Sequence, residues 1–109
     1  MLSVGDAVRA HAHTKDNRPG VVLRIFEVAG ISRAYIAFGT SKPPKQAGHP
    51  PPLFVDRGDP AFAALGLDVP TWFKPNQALV LQANDPEIRV VGTCTDTLLQ
   101  DLRALYGFR

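Results

Sequence analysis

Residues 17–42, NRPGVVLRIFEVAGISRAYIAFGTSK, hold the pattern on which the fold turns. Val21 to Val28 is apolar and rich in branched side chains, which suits a buried strand, with Pro19-Gly20 at or just inside its start. Ala29-Gly30-Ile31-Ser32 is a turn of hairpin length. Arg33 to Phe38 then alternates, with Ala34, Ile36 and Phe38 on one face, and predicts a further strand. Upstream, alternation begins at Val4. Val8, Ala10 and Ala12 share one face, and Arg9, His11 and His13 the other, which predicts a half-buried strand running through His13. Thr14-Lys15-Asp16-Asn17 is a polar break. Sequential strands with such short connections predict an antiparallel meander.

Downstream the pattern changes. Residues 39–52, GTSKPPKQAGHPPP, contain five prolines and predict a long loop instead of a central element. Leu53 to Val55 fits a short strand. Pro60 to Leu65 fits a short helix, with Asp59 as its cap, Pro60 at the first helical position and Gly66 as its stop. Thr71-Trp72-Phe73 and Ala78 to Gln82 read as two short strands, Asn84-Asp85-Pro86 as a turn, and Ile88 to Gly92 as another strand. Leu98, Leu99, Leu102, Leu105 and Tyr106 form a helical stripe. Its start is either a capping box of Thr97 and Gln100 or a Thr95 cap one turn earlier, and Gly107 ends it. The expected architecture is mainly β: a small, partly open barrel with a C-terminal helix, one domain over residues 1–109.

Composition sets limits on function. Twelve basic and ten acidic residues give a net charge of +2 and a pI near 9.0, which permits an anionic partner without demanding one. Eight of the twelve are arginine, which grips phosphate and carboxylate with a two-pronged fork. The single cysteine, Cys94, excludes an internal disulfide framework and a Cys-rich zinc site. No apolar run is long enough to span a membrane, and Met1 to Arg9 has no signal-peptide pattern, so a cytoplasmic protein is expected.

Three segments carry a resemblance. Ser3-Val4-Gly5-Asp6-Ala7-Val8 opens a strand with Gly-Asp, Asn17-Arg18-Pro19-Gly20-Val21-Val22-Leu23 leads an Arg-Pro pair into an apolar strand, and Ala37-Phe38-Gly39-Thr40-Ser41-Lys42 ends a strand in Gly-Thr-Ser. In this order the chain resembles the MazF/PemK family of toxin endoribonucleases, and most of all the divergent branch whose third strand runs into a Gly-Thr-Ser turn. Pro70-Thr71-Trp72-Phe73 and the closing Val91-Gly92 strand with its helix are similar to that branch too. The resemblance implies an SH3-like barrel, usually a homodimer, neutralised by a cognate antitoxin protein. It implies cleavage of single-stranded RNA without a metal or other cofactor, by attack of the ribose 2′-hydroxyl to leave a 2′,3′-cyclic phosphate. By motif position Arg18 and Thr40 would be the catalytic residues.

Elementary chemistry bears on those roles. A guanidinium and a hydroxyl aimed at the equatorial oxygens of a phosphorane stabilise it more than the ground state. Arginine is too strong a base in its conjugate form to exchange protons near pH 7, so Arg18 is assigned electrostatic work and a histidine the proton. His11, His13, Lys15, Ser41 and Lys42 are the candidate substrate contacts, with Lys45 on the same basic rim. Two imidazoles at i, i+2 can also ligate a metal, but a third ligand is missing nearby, and His49 lies far along the chain. The bland reading of Thr40-Ser41 is a turn whose side chains close on their own backbone. Trp72 and Phe73 suit a core or a base-stacking platform, and Pro50-Pro51-Pro52 stiffens its loop or docks on an aromatic groove. The loop at Thr14 to Asn17 is short for the family, and Asp85 and Arg89 match none of its motifs. The rival reading is a non-catalytic SH3-like module, of the kind a phage or plasmid encodes, that binds nucleic acid or a host protein through the same groove. A third is an assembly protein that self-associates through the barrel edge.

Overall fold

The computed structural model describes residues 1–45 and 51–108. Strands β1 (Asp6–Arg9), β2 (Pro19–Val28) and β3 (Ile31–Thr40) form the meander. They are followed by β4 (Leu53–Val55), helix α1 (Pro60–Ala64), β5 (Thr71–Gln82), β6 (Arg89–Thr93) and helix α2 (Asp96–Leu105). All six strands join one antiparallel sheet in the order β4-β5-β3-β2-β1-β6, curled into a half-barrel. Among the described residues no helix is long and apolar enough to cross a membrane. His49 and Pro50 lie outside the described residues.

The β2–β3 hairpin turns on two residues, Ala29 and Gly30, with φ of +53° and +79°. Positive φ at both central positions is the type I′ geometry whose twist matches the flanking strands. Gly30 adopts it freely, whereas the Cβ of Ala29 crowds its own carbonyl. Ala29→Asn is therefore expected to stabilise the fold by about 0.5–1 kcal/mol, read as a higher urea midpoint at unchanged slope. An equal or lower midpoint would show that the turn carries no such strain.

The sheet is covered on both faces, and this explains why β2 reads as a continuous apolar run. One core gathers Val21, Leu23, Ala37, Val55 and Phe73 under Leu65, just past α1, and Leu98 and Leu102 of α2. The other gathers Val8, Ala10, Val22, Ala34, Ile36 and Phe38 under Leu2, Ala83 and Ile88. Alternation sends Val21 and Leu23 to the first core and Val22 to the second, and the register shift between Val22 and Arg24 leaves Arg24 exposed. Burial pushes the Cys94 thiol up to about 11, with Asp96 and Asp59 adding to the effect, so it sits in the first core as a small apolar group.

The expected helix signals hold. The Asp59 carboxylate accepts from the Ala61 amide at 2.9 Å, with Pro60 at the first helical position of α1. Of the two starts open for α2, the chain uses Thr95, whose hydroxyl accepts from the Leu98 amide at 3.4 Å. At the far end the Gly107 and Phe108 amides donate to the carbonyls of Ala104 and Arg103, which closes the last turn.

Two expectations need correction. β1 does not run through His13 but ends at Arg9. Arg9 pairs with Pro19, which has no N–H to continue the ladder. The chain then turns tightly, with the amides of His13 and Thr14 both donating to the Ala10 carbonyl. His11 and His13 therefore lie in a turn and share no strand face with Arg9. The two strands expected at 71–73 and 78–82 are one strand, β5. Its register jumps from Ala78, opposite Ala37, to Phe73, opposite Gly39. Lys74-Pro75-Asn76-Gln77 bulge out between them, and a bulge is where a strand tolerates proline. The Tyr106 hydroxyl, beyond the end of α2, holds this bulge by donating to the carbonyls of Lys74 and Gln77.

Candidate phosphate-binding cleft

The candidate site lies where β2 begins and β3 ends. Gly20 pairs with Phe38 at the end of the β2–β3 ladder, and Arg18 and Thr40, each two residues further along, line the same cleft. The approach to Arg18 is held by side chains. Asn17 takes the left-handed conformation at φ +49°, which asparagine tolerates better than most residues. The Thr14 hydroxyl donates to the Ala10 carbonyl at 3.1 Å and accepts from the Arg18 amide at 3.2 Å. The half-buried guanidinium of Arg18 donates from Nη1 to Gln77 Oε1 at 3.0 Å, so the β5 bulge fixes its direction. Its four remaining N–H groups are left for a ligand.

Thr40 is only 6 % exposed. Its hydroxyl oxygen accepts from the Lys42 amide at 3.2 Å, as in the turn reading of Thr40-Ser41, and its O–H proton can still donate elsewhere. Gly39 is required for close approach: a Cβ there would lie 2.4 Å from Thr71 Cγ2.

These elements enclose a cleft of about 300 Å3 that brings together Arg18, Thr40, Ser41, Lys42, Arg9 and Asp68. Arg9 and Asp68 were not among the candidates. Arg9 Nη2 donates to the Gly66 carbonyl at 2.9 Å and ties β1 to the loop after α1. Burial holds its guanidinium below the usual range, while the Asp68 carboxylate acts in the opposite direction. Arg9 stays cationic near neutral pH, because no shift of ordinary size brings a guanidinium there. The cleft thus carries three cations and one carboxylate, a balance that suits an anionic ligand.

A second groove of about 380 Å3 adjoins the first through Arg18 and is lined by His13, Lys15 and Gln77. His13 Nε2 donates to Asp85 Oδ2 at 2.7 Å. The Glu87 amide and then the His13 ring hold the Asp85 carboxyl below its usual range. This imidazole has a fixed orientation, and its orienting carboxylate had no motif to mark it. His11 is exposed on its turn and lines neither groove. Among the described residues no group of three or more His, Cys, Asp or Glu side chains is arranged to hold a metal ion. Compared with known proteins, the chain matches no protein-family model, no curated protein and no solved structure.

Proposed function

We propose that this protein is an endoribonuclease of the toxin type, acting on single-stranded RNA as a homodimer and restrained by a cognate antitoxin protein. One observation carries the reading: Arg18 and Thr40 line one cleft, with Lys42 and Arg9 adding positive charge. A phosphodiester seated there meets a guanidinium with free donors and a hydroxyl with a free proton. In the proposed reaction the ribose 2′-oxygen bonds to phosphorus as its proton departs. The bond from phosphorus to the 5′-oxygen breaks, and that oxygen takes up a proton. The products are a 2′,3′-cyclic phosphate and a 5′-hydroxyl. Balance requires a proton acceptor and a donor but no added oxidant or metal. Arg18 neutralises the charge that grows on the phosphorane, and Thr40 donates to an equatorial oxygen.

His13 is the acceptor this reading assigns. Its Nε2–H is committed to Asp85, which in the neutral ring leaves Nδ1 to receive a proton. His13→Gln is expected to slow cleavage about 10²-fold while leaving the affinity for an uncleavable RNA unchanged. An unaltered rate would move the proton to the Asp68 carboxylate or to water.

The reading is tested by incubating the protein with a long unstructured RNA in excess chelator. Discrete fragments are expected. A second reading, a non-catalytic module that binds through the same cleft, draws support from the hydrogen bond that already occupies the Thr40 oxygen. It predicts intact RNA together with salt-sensitive binding.

A further inference from the structure

We propose that Phe54 and Trp72 form a stacking platform for an unpaired base of the nucleic acid whose phosphate occupies the cleft. This inference rests on the nucleic-acid reading above and adds a second subsite to it. Phe54 pairs in register with Trp72, and Trp72 pairs with Thr40. One line across the sheet therefore runs Phe54, Trp72, Thr40, and it ends at the cleft that Thr40 lines together with Arg18.

The row shares a face by alternation. Val55 and Phe73, next along their strands, enter the first core, and a Cβ at Gly39 would point at Thr71 and Phe73. Phe54, Trp72 and Thr40 therefore point to the opposite face. The two aromatic rings lie 4.3 Å apart between centroids at 31°. The pair is tilted, Phe54 is 42 % exposed, and β4 ends the sheet. A large exposed aromatic on an edge strand is costly to leave in water, and here it lies two strands from Thr40.

The spacing fits the ligand. Neighbouring strands lie about 4.8 Å apart, so Trp72 stands one strand from Thr40 and Phe54 two. A nucleotide held by its phosphate at Arg18 and Thr40 carries its base over the aromatic pair. A cationic groove together with aromatic stacking rings is the combination by which single-stranded nucleic acid is held without regard to sequence. An apolar peptide would use the rings but would leave the arginines without counter-charge.

Trp72 is the chain's one tryptophan, so its emission reports on the platform alone. The test titrates a short 2′-O-methyl oligoribonucleotide, which cannot attack its own phosphate, into wild type, Phe54→Ala and Arg18→Ala. Fluorescence anisotropy of the labelled oligonucleotide reads binding, and Trp72 emission reads stacking. The expected result is quenching on binding to wild type, with affinity lowered about 5- to 150-fold in Phe54→Ala and lowered also in Arg18→Ala. Quenching in wild type stands as evidence even if the Phe54 variant folds poorly. Binding that depends on Arg18 but neither quenches Trp72 nor responds to Phe54→Ala would overturn the platform and keep the nucleic-acid reading. Absence of binding would overturn both. Unchanged affinity with reduced self-association in Phe54→Ala, read by sedimentation, would identify a second copy of the chain as the occupant and overturn the proposal.

Discussion

Arg18→Ala is expected to lower the rate of RNA cleavage by about 10²–10³-fold, the loss that follows removal of one preorganised donor to a transition-state oxyanion. The size of the effect comes from the setting. The guanidinium is half-buried and aimed by Gln77 at 3.0 Å, so it meets the phosphorane without first having to be ordered. The same substitution removes just that one side-chain hydrogen bond, which is worth about 1 kcal/mol. The variant should therefore melt within roughly 4–8 °C of wild type, the shift that about 1 kcal/mol makes in a domain this size. A single-turnover rate constant and a thermal melt on the same preparation separate the two effects. A rate unchanged in a folded variant would remove Arg18 from the chemistry.

Phe73→Ala is expected to be the most damaging single truncation for stability, at about 3–5 kcal/mol. Phe73 is fully buried and is among the largest side chains of the first core. It stands in register with Gly39, and a Cβ at Gly39 would lie 3.2 Å from its Cζ. The ring thus fills the space that the glycine of the Gly-Thr-Ser turn leaves open. Deleting it empties the space beside Gly39. A chain of 109 residues has roughly 5–15 kcal/mol of total stability, so the loss takes a large share of it. Urea unfolding should show the midpoint falling in proportion. A loss under about 1 kcal/mol would mean that the helices collapse onto the vacancy.

What could be read along the chain depended on how far apart the deciding residues lie. The β2–β3 hairpin was legible because its turn and its alternation are contiguous, from Val21 to Phe38. The ends of the helices were legible for the same reason: Asp59 beside Pro60, and Thr95 three residues before Leu98. The end of β1 was not. Ala10 and Ala12 continue the alternation in sequence, but the strand stops because its partner at that register is Pro19. Nor was the continuity of β5 from residues 71–73 to residues 78–82, because Pro75 lies between them and a proline interrupts a ladder. It is accommodated by a bulge that Tyr106 holds from near the C-terminus.

The site divides along the same line. Arg18 and Thr40 stood out through short motifs, each within a few residues of a strand end. Arg9, Gln77, Asp68 and Asp85 did not. Arg9 reaches across 57 residues to Gly66, Arg18 across 59 to Gln77, and His13 across 72 to Asp85. No local pattern encodes such partners. They follow from a sheet order that brings β1, β2, β3 and β5 side by side.

The ends of the RNA products test the proposed chemistry of cleavage most directly. Purified protein is incubated with a long unstructured RNA in excess chelator, and the 3′ ends of the fragments are weighed by mass spectrometry. Attack by the 2′-hydroxyl predicts a 2′,3′-cyclic phosphate on each upstream fragment and a 5′-hydroxyl on each downstream one. RNA left intact by the folded protein, or fragments ending in a 3′-hydroxyl and a 5′-phosphate, would contradict the account.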